Sequence, residues 1–383
     1  MFARGYRAAS LLALVPLTAA VAPSQSTPEI APRLATNCAP EIVSRLDLRE
    51  RVGQVLLIGV PVDGASTAVP IVNAHKVGGI FFAGRSYRSV SSIRVSADAI
   101  QSASHASSGV TAHIAVDQEG GMVQALRGPG FTRIPTAELQ GTLSAAVLRA
   151  QTARWSAQLR AAGITLDLAP VADTVSIYPP SDNPPVGAMD RGYGDDPATV
   201  SRAIGAVVGG MQGERVAATL KHFPGLGRAR YNPDTSTLAT DSVATRTDPN
   251  LAPFSTGIRA GARAVMLSSA RYPRLDATQP AVLSRTIVTD LLQTQLGFRG
   301  VVVTDDIGAA AALRDVPLGQ RAIRFINAGR HLVLSVRPGD AGLLSRALMA
   351  HAAAHPDFAR RIFAAATRVV QSKIQTGLIT CAP

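Results

Sequence analysis

The chain reads as an α/β protein built on a single (β/α)8 TIM barrel, and three observations predict it. Eight short apolar runs alternate with longer amphipathic ones along most of the 383 residues, the pattern of a parallel sheet whose crossovers are helices. The sequence is 46% hydrophobic but only 4% aromatic, so the runs draw on Val, Ile, Leu and Ala, which suit strands buried on both faces. The conspicuous polar residues fall at or just after the ends of these runs: Asp117 after the third, Pro170 and Asp173 after the fourth, His222 at the fifth and Asp305 after the seventh. In a closed barrel those positions share one C-terminal rim. A doubly wound open sheet is the competing architecture, and it does not by itself gather them.

Residues 1–25 are expected to be an export signal. Arg4 and Arg7 form a positive start, Ala8 to Ala22 is an apolar run too short to span a bilayer, and Ala20-Val21-Ala22 offers a small-residue cleavage pattern. An uncleaved N-terminal anchor is the alternative. Residues 26–40, rich in Pro, Ser, Thr and Ala, read as a linker, and 41–383 as the barrel.

The expected strands are Val55–Val60, Gly79–Ala83, Ala112–Val116, Thr165–Leu168, Ala217–Lys221, Ala264–Leu267, Val301–Thr304 and His331–Ser335. Helical patterns lie between and after them, among them Leu143–Ala162, Pro197–Gln212, Ser284–Leu296, Leu318–Ala328, Gly339–His351 and Asp357–Thr376. Gly163, Gly261, Gly297 and Gly329 stand where helix C-caps belong. The sequence carries no internal repeat, phosphate loop or second domain, and Gly225-Leu226-Gly227 precedes a polar loop rather than a helix, so it is no dinucleotide fingerprint.

The formal charge is +12, almost all of it from arginine. No basic run with interleaved aromatics, zinc-knuckle spacing or recognition-helix pattern accompanies it, which argues against nucleic acid; an anionic cell-wall surface is the more plausible charged partner. The two cysteines, Cys38 and Cys381, lie near opposite ends of the mature chain, and in an exported protein an even count points to a disulfide. A lipid-anchored Cys38 is the other reading of that residue.

Only Lys76, Lys221 and Lys373 are lysine among 38 basic residues. Lys221 beside His222 therefore marks a place that uses a compact ammonium rather than a guanidinium fork. Val301 to Thr304 ends in Asp305-Asp306, and Asp117-Gln118-Glu119-Gly120-Gly121 ends another strand in a tight turn. Either Asp of the first pair also suits a helix N-cap. Asp190-Arg191 sets a fork donor beside a carboxylate, and a solvated ion pair is the bland reading there. Together these residues describe a cleft for a neutral, hydroxyl-rich ligand. There is no HExxH and no Cys/His cluster, so no metal and no cofactor is expected.

These segments resemble glycoside hydrolase family 3, in its single-domain β-N-acetylhexosaminidase branch of exported actinobacterial type. The matching stretches are Asp117 to Gln124, Leu168 to Asp173, Asp190 to Gly194, Lys221 to Gly227 and Gly297 to Asp306, in the family's order. The resemblance implies a retaining glycosidase that removes terminal β-linked N-acetylglucosamine from peptidoglycan fragments; separately, the chain is expected to be a monomer. It implies that Asp305 is the nucleophile and that Asp117, Arg191, Lys221 and His222 bind sugar. Asp306 matches an acid common in the branch.

Three departures matter. The family's Asp-x-His pair becomes Asp234 and Ser236, so the acid/base histidine is a serine. The family's Gly-His-Gly is Gly225-Leu226-Gly227. The usual arginine is Ala125, with Arg127 two residues on as the substitute substrate-binding residue. Asp234, or Asp241 further along, is then the candidate acid in place of the histidine, and the sequence leaves the choice open. A catalytically weakened relative that binds wall glycans or muropeptides is the second functional reading, and a family 3 β-glucosidase the third.

Overall fold

The computed structural model describes residues 1–2 and 38–381, and residues 38–381 form one compact unit. The export signal expected over 1–25 and the linker over 26–40 fall almost wholly outside the described residues. At the linker's end a helix, Ala39–Ser44, already begins, with Pro40 in its first turn where a missing N–H costs nothing.

Eight parallel strands form the barrel: β1 (Leu56–Pro61), β2 (Gly79–Ala83), β3 (His113–Val116), β4 (Leu166–Asp167), β5 (Ala217–Phe223), β6 (Ala264–Leu267), β7 (Val301–Thr304) and β8 (Val333–Ser335). Each pairs with its neighbours in chain order, and β1 pairs with β8 through Leu56↔Val333 and Leu57↔Leu334. The ring closes between β7 and β8, where Thr304 donates to Leu332 at 3.0 Å and a bridge joins Val303 to Leu332. The competing open sheet is thereby excluded.

Alternation along each strand builds two cores. Leu57, Phe81, Ala115, Met266, Val303 and Leu334 fill the barrel interior. Their neighbours Ile58, Ile80, Phe82, Ile114, Val265 and Val302 face outward into the larger core beneath the helices. Residues on both faces are nearly all buried, which is why the strands read as continuous apolar runs.

The expected helices appear as Ala145–Ala161, Pro197–Gly213, Thr286–Gln295, Leu318–Asn327, Asp340–Ala354 and Pro356–Gln375. Thr286–Gln295 is wound as a π-helix rather than an α-helix. Gly163 and Gly297, expected as C-caps, hold left-handed φ of 83° and 72°. Val90–Ser108 is a Ser-rich helix with little apolar signal; it forms because Ser89 caps it, accepting from Ser92 N–H at 3.2 Å, and because Ile93, Ala97 and Ile100 are buried along one face.

Cys38 and Cys381 are joined, with Cα atoms 5.8 Å apart. Below the barrel, the ammonium of Lys373 is fully buried and donates to Gln54 Oε1 at 2.6 Å. Burial lowers its pKa to about 7.

Candidate active site

A cavity of about 300 Å³ opens at the C-terminal rim and is lined by Asp117, Arg191, Lys221, His222, Asp234, Asp305 and Asp306, with Phe81, Leu168, Met266 and Leu334 as its apolar floor. Asp117 and Asp305 directly follow β3 and β7, Lys221 and His222 lie within the last three residues of β5, and the long loop after β4 delivers Arg191.

The centre of the charge network is Glu119, two residues beyond Asp117. Its carboxylate takes a two-point fork from Arg191, with Nε at 2.9 Å and Nη2 at 2.8 Å, and also faces Lys221 Nζ at 2.6 Å. Burial alone would raise its pKa, but the Arg191 and Lys221 charges outweigh it and hold Glu119 at about 2. Lys221 Nζ also donates to Asp117 Oδ1 at 2.7 Å. Its pKa is raised: burial pulls it down, and Asp117 and Glu119 more than compensate. The sequence pattern marks Asp117 as the ligand-facing acid of this segment and does not single out Glu119. The i, i+2 spacing that puts both acids on one face was the available signal. Asp190, expected beside Arg191, is exposed, and the guanidinium turns to buried Glu119 instead.

His222 is oriented by Asp173, which is fully buried. Its Nδ1 lies 2.8 Å from Asp173 Oδ2; a carboxylate accepts, so Nδ1 carries the hydrogen and Nε2 remains for the cavity. Asp173 Oδ1 also accepts from His222 N–H at 3.0 Å and Leu226 N–H at 2.9 Å, stapling the end of β5 and the start of the next loop. The peptide bonds Lys221–His222 and Phe223–Pro224 are cis.

That loop is tied down along its length. Asn183 Nδ2 donates to the carbonyls of Leu226 and Ala229, both at 2.8 Å, and Tyr272 OH to that of Gly225 at 2.8 Å. A side chain at Gly227 would put its Cβ 1.7 Å from Thr174 O, so only glycine permits the approach. Farther along, Ala311 N–H donates to Asp234 O at 3.1 Å and Ala312 N–H to Pro233 O at 3.0 Å. These bonds dock the loop on the segment after β7 and bring the Asp234 carboxyl toward Asp305. The Asp305 charge is the main reason, ahead of burial, that the pKa of Asp234 is raised to about 6; His222 and Arg191 pull the other way. Asp234 keeps solvent access, so water moderates that rise.

Several expected site residues behave differently. Ser236 is not among the cavity's lining residues, and its hydroxyl accepts from Leu238 N–H at 3.1 Å. Asp241 is buried against Arg228 and accepts from Val243 and Ala244 N–H, so it is occupied as a loop anchor. Arg127 does not line the cavity; its guanidinium braces the hairpin after β3 by donating to the carbonyls of Gln124, Gly121 and Met122. Asp306 lines the cavity, but its carboxylate accepts from three backbone N–H groups, Gly308 at 2.9 Å, Ala309 at 3.0 Å and Val336 at 3.1 Å. It is a turn-forming residue rather than a free ligand group. Leu226, in place of the family's histidine, is 2% exposed and packs into the core. Among the described residues no group of three or more His, Cys, Asp or Glu side chains is arranged to hold a metal ion.

A closed parallel barrel carrying facing carboxyls and paired cations at its C-terminal rim is the layout of a barrel enzyme acting on a polyhydroxylated substrate. The chain belongs to glycosyl hydrolase family 3: the family's N-terminal domain model matches residues 47–370. A β-hexosaminidase of Stenotrophomonas maltophilia is 37% identical over 241 residues, covering 59% of this chain and 67% of that one. A β-N-acetylhexosaminidase crystal structure from Beutenbergia cavernae superposes with a TM-score of 0.83 at 43% identity, covering 86% of this chain and 98% of that one. A family 3 β-N-acetylglucosaminidase from a Paenibacillus species gives a TM-score of 0.80 at 30% identity, covering 88% of this chain and 64% of the other.

Proposed function

We propose that this family 3 hydrolase removes terminal β-linked N-acetylglucosamine from peptidoglycan-derived glycans by a retaining mechanism. The observation that carries the mechanism is the facing pair Asp305 and Asp234, in which the charge of one keeps a proton on the other up to about pH 6. Asp305 attacks the anomeric carbon as the glycosidic bond breaks, and a covalent glycosyl-enzyme forms. Asp234 gives its proton to the departing oxygen, then takes one from the water that releases the sugar. Asp117, Lys221, Arg191 and His222 hold the sugar's hydroxyl and acetamido groups through charge-assisted hydrogen bonds. The relatives' names support the sugar, and the Arg-flanked apolar N-terminus and the Cys38–Cys381 bridge support export to an oxidising, wall-facing compartment.

The test is hydrolysis of an aryl N-acetyl-β-glucosaminide and of a wall-derived disaccharide, with Asp305→Asn as control. Wild type is expected to cleave both, and Asp305→Asn to lose at least about 10³-fold on each, the scale of removing a nucleophile. Cleavage of neither by wild type refutes the enzyme reading; activity that survives in Asp305→Asn refutes the nucleophile. A weakened glycan binder is the second reading, favoured by the absence of Ser236 from the cavity lining, and it predicts cleavage of the aryl substrate alone or of neither.

A further inference from the structure

The end of the barrel opposite the cavity, where the strands start, carries a pair of arginines that the sugar site does not use. Arg160 stands in the last turn of the helix that leads to β4, and Arg215 lies two residues before β5. Their side chains turn toward one point at Gly377, in the turn that follows the helix Pro356–Gln375. A Cβ built on Gly377 would lie 3.5 Å from Arg215 Nη1 and 3.7 Å from Arg160 Nη2. One oxyanion placed there reaches both guanidinium groups.

Nothing in the described chain neutralises the pair. Neither guanidinium donates a hydrogen bond or forms an ion pair among the described residues. Asp98 is engaged by Arg94 at 2.7 Å, and Glu214, next to Arg215 in the chain, pairs with neither arginine. Burial, and then the charges of Arg215 and Arg94, make the charged form of Arg160 less favourable.

Arg215 also holds a costly backbone conformation. Its φ is 58°, in the left-handed region. The helix ends before β3, β4, β6, β7 and β8 enter that region with Gly109, Gly163, Gly261, Gly297 and Gly329. Glycine is the least strained residue there, so an arginine at 215 calls for a role of its side chain. The helix dipole favours a cation at each helix C-terminus, but it does not account for two guanidinium groups turned onto the same point.

We infer that Arg160 and Arg215 form an anion site at the strand-start end of the barrel, and that it takes a phosphate group. Two forks arriving from different helices suit a tetrahedral oxyanion, whose several oxygens each accept; a single fork already matches a planar carboxylate. A free phosphate and the phosphodiester headgroup of an anionic lipid present the same oxygens. The site lies at the opposite end of the barrel from the cavity, so phosphate and sugar bind independently.

The experiment uses the full chain at low salt, with inorganic phosphate as the probe and phosphorus NMR relaxation as the readout. Wild type is expected to bind, and Arg160→Gln with Arg215→Gln to weaken binding at least about tenfold, the scale of losing charge-assisted hydrogen bonds. Arg45→Gln with Arg360→Gln removes the same charge from arginines already paired with Glu41 and Asp357, and should leave binding nearly unchanged. Arg215→Gly should lose phosphate while its melting temperature holds or rises, because glycine relieves the backbone. A fall in melting temperature would show that the side chain supports the fold instead, and overturns the proposal. So does equal weakening in the two double variants, or no binding by wild type. A second arm uses vesicles of phosphatidylglycerol in phosphatidylcholine. Co-sedimentation that depends on Arg160 and Arg215 assigns the phosphate to a lipid headgroup; its absence beside phosphate binding assigns a free phosphate. Saturating phosphate should leave hydrolysis of the aryl glycoside unchanged, and competition with the sugar would place the phosphate in the cavity and overturn the site. The binding result stands whether or not the cavity hydrolyses glycosides.

Discussion

At Asp234 the chemistry of the site depends on one neighbour. Asp305 raises its pKa to about 6, above the usual carboxylate range, so the side chain is a proton donor below that value and a base above it. Ser236 cannot take the acid's place at this loop because a hydroxyl does not ionise near neutral pH. The general acid must be protonated at the bond-breaking step, so turnover of the natural disaccharide should fall as pH rises through about 6. An aryl glycoside, whose leaving group needs little help, should not show that limb. Asp234→Asn is expected to remove the limb and slow the disaccharide by ~10²–10⁴-fold, the range for general acid catalysis, with a much smaller effect on the aryl compound. Equal losses on both substrates would show that Asp234 is not the acid.

Among the elements, β4 shows how a short strand can carry a titrating group. Only Leu166–Asp167 counts as strand, and the Asp167 carboxyl is buried, accepting Gln118 N–H at 3.0 Å. Burial raises its pKa to about 8; Asp117 and Glu119 add to the rise, while the Gln118 bond and Lys221 oppose it. The folded protein thus holds a proton that the unfolded chain releases near 3.8. The stability this provides is complete below about pH 4 and is lost as pH rises through about 8. Asp167→Asn mimics the protonated form, so urea melts across that window should show a flatter decline than wild type. An unchanged slope would place the proton elsewhere.

The strands were legible because burial on both faces leaves an unbroken apolar run, as in Val301–Thr304. The rim was legible because Asp117, Lys221, His222 and Asp305 are polar residues that end such runs. Glu119 was less visible because its function is expressed through other side chains, Lys221 and Arg191; Asp173 stood out as a rim residue, but its hold on His222 is visible only in the fold. Arg127 lies outside the cavity lining, and its guanidinium donates to carbonyls of its own hairpin, which no sequence pattern announces. The docking of Asp234 over Asp305 depends on carbonyl contacts with Ala311 and Ala312, which no side-chain pattern announces.

The whole molecule is closed by one covalent bond. Cys38 and Cys381 are separated by 343 positions, so the bridge restricts the unfolded chain strongly, by on the order of 5 kcal/mol in the chain-entropy view. Reduction with the fold otherwise intact should lower the melting temperature by roughly 5–8 °C for a chain of this size. No change in melting would mean that the ends contribute little to the cooperative unit. The same bridge has a mechanical consequence. A pull applied outside the two cysteines runs through the sulfur atoms, and the barrel between them bears almost no tension. The roughly 1,200 Å of contour enclosed by the bridge stays shielded until the bond itself is cut.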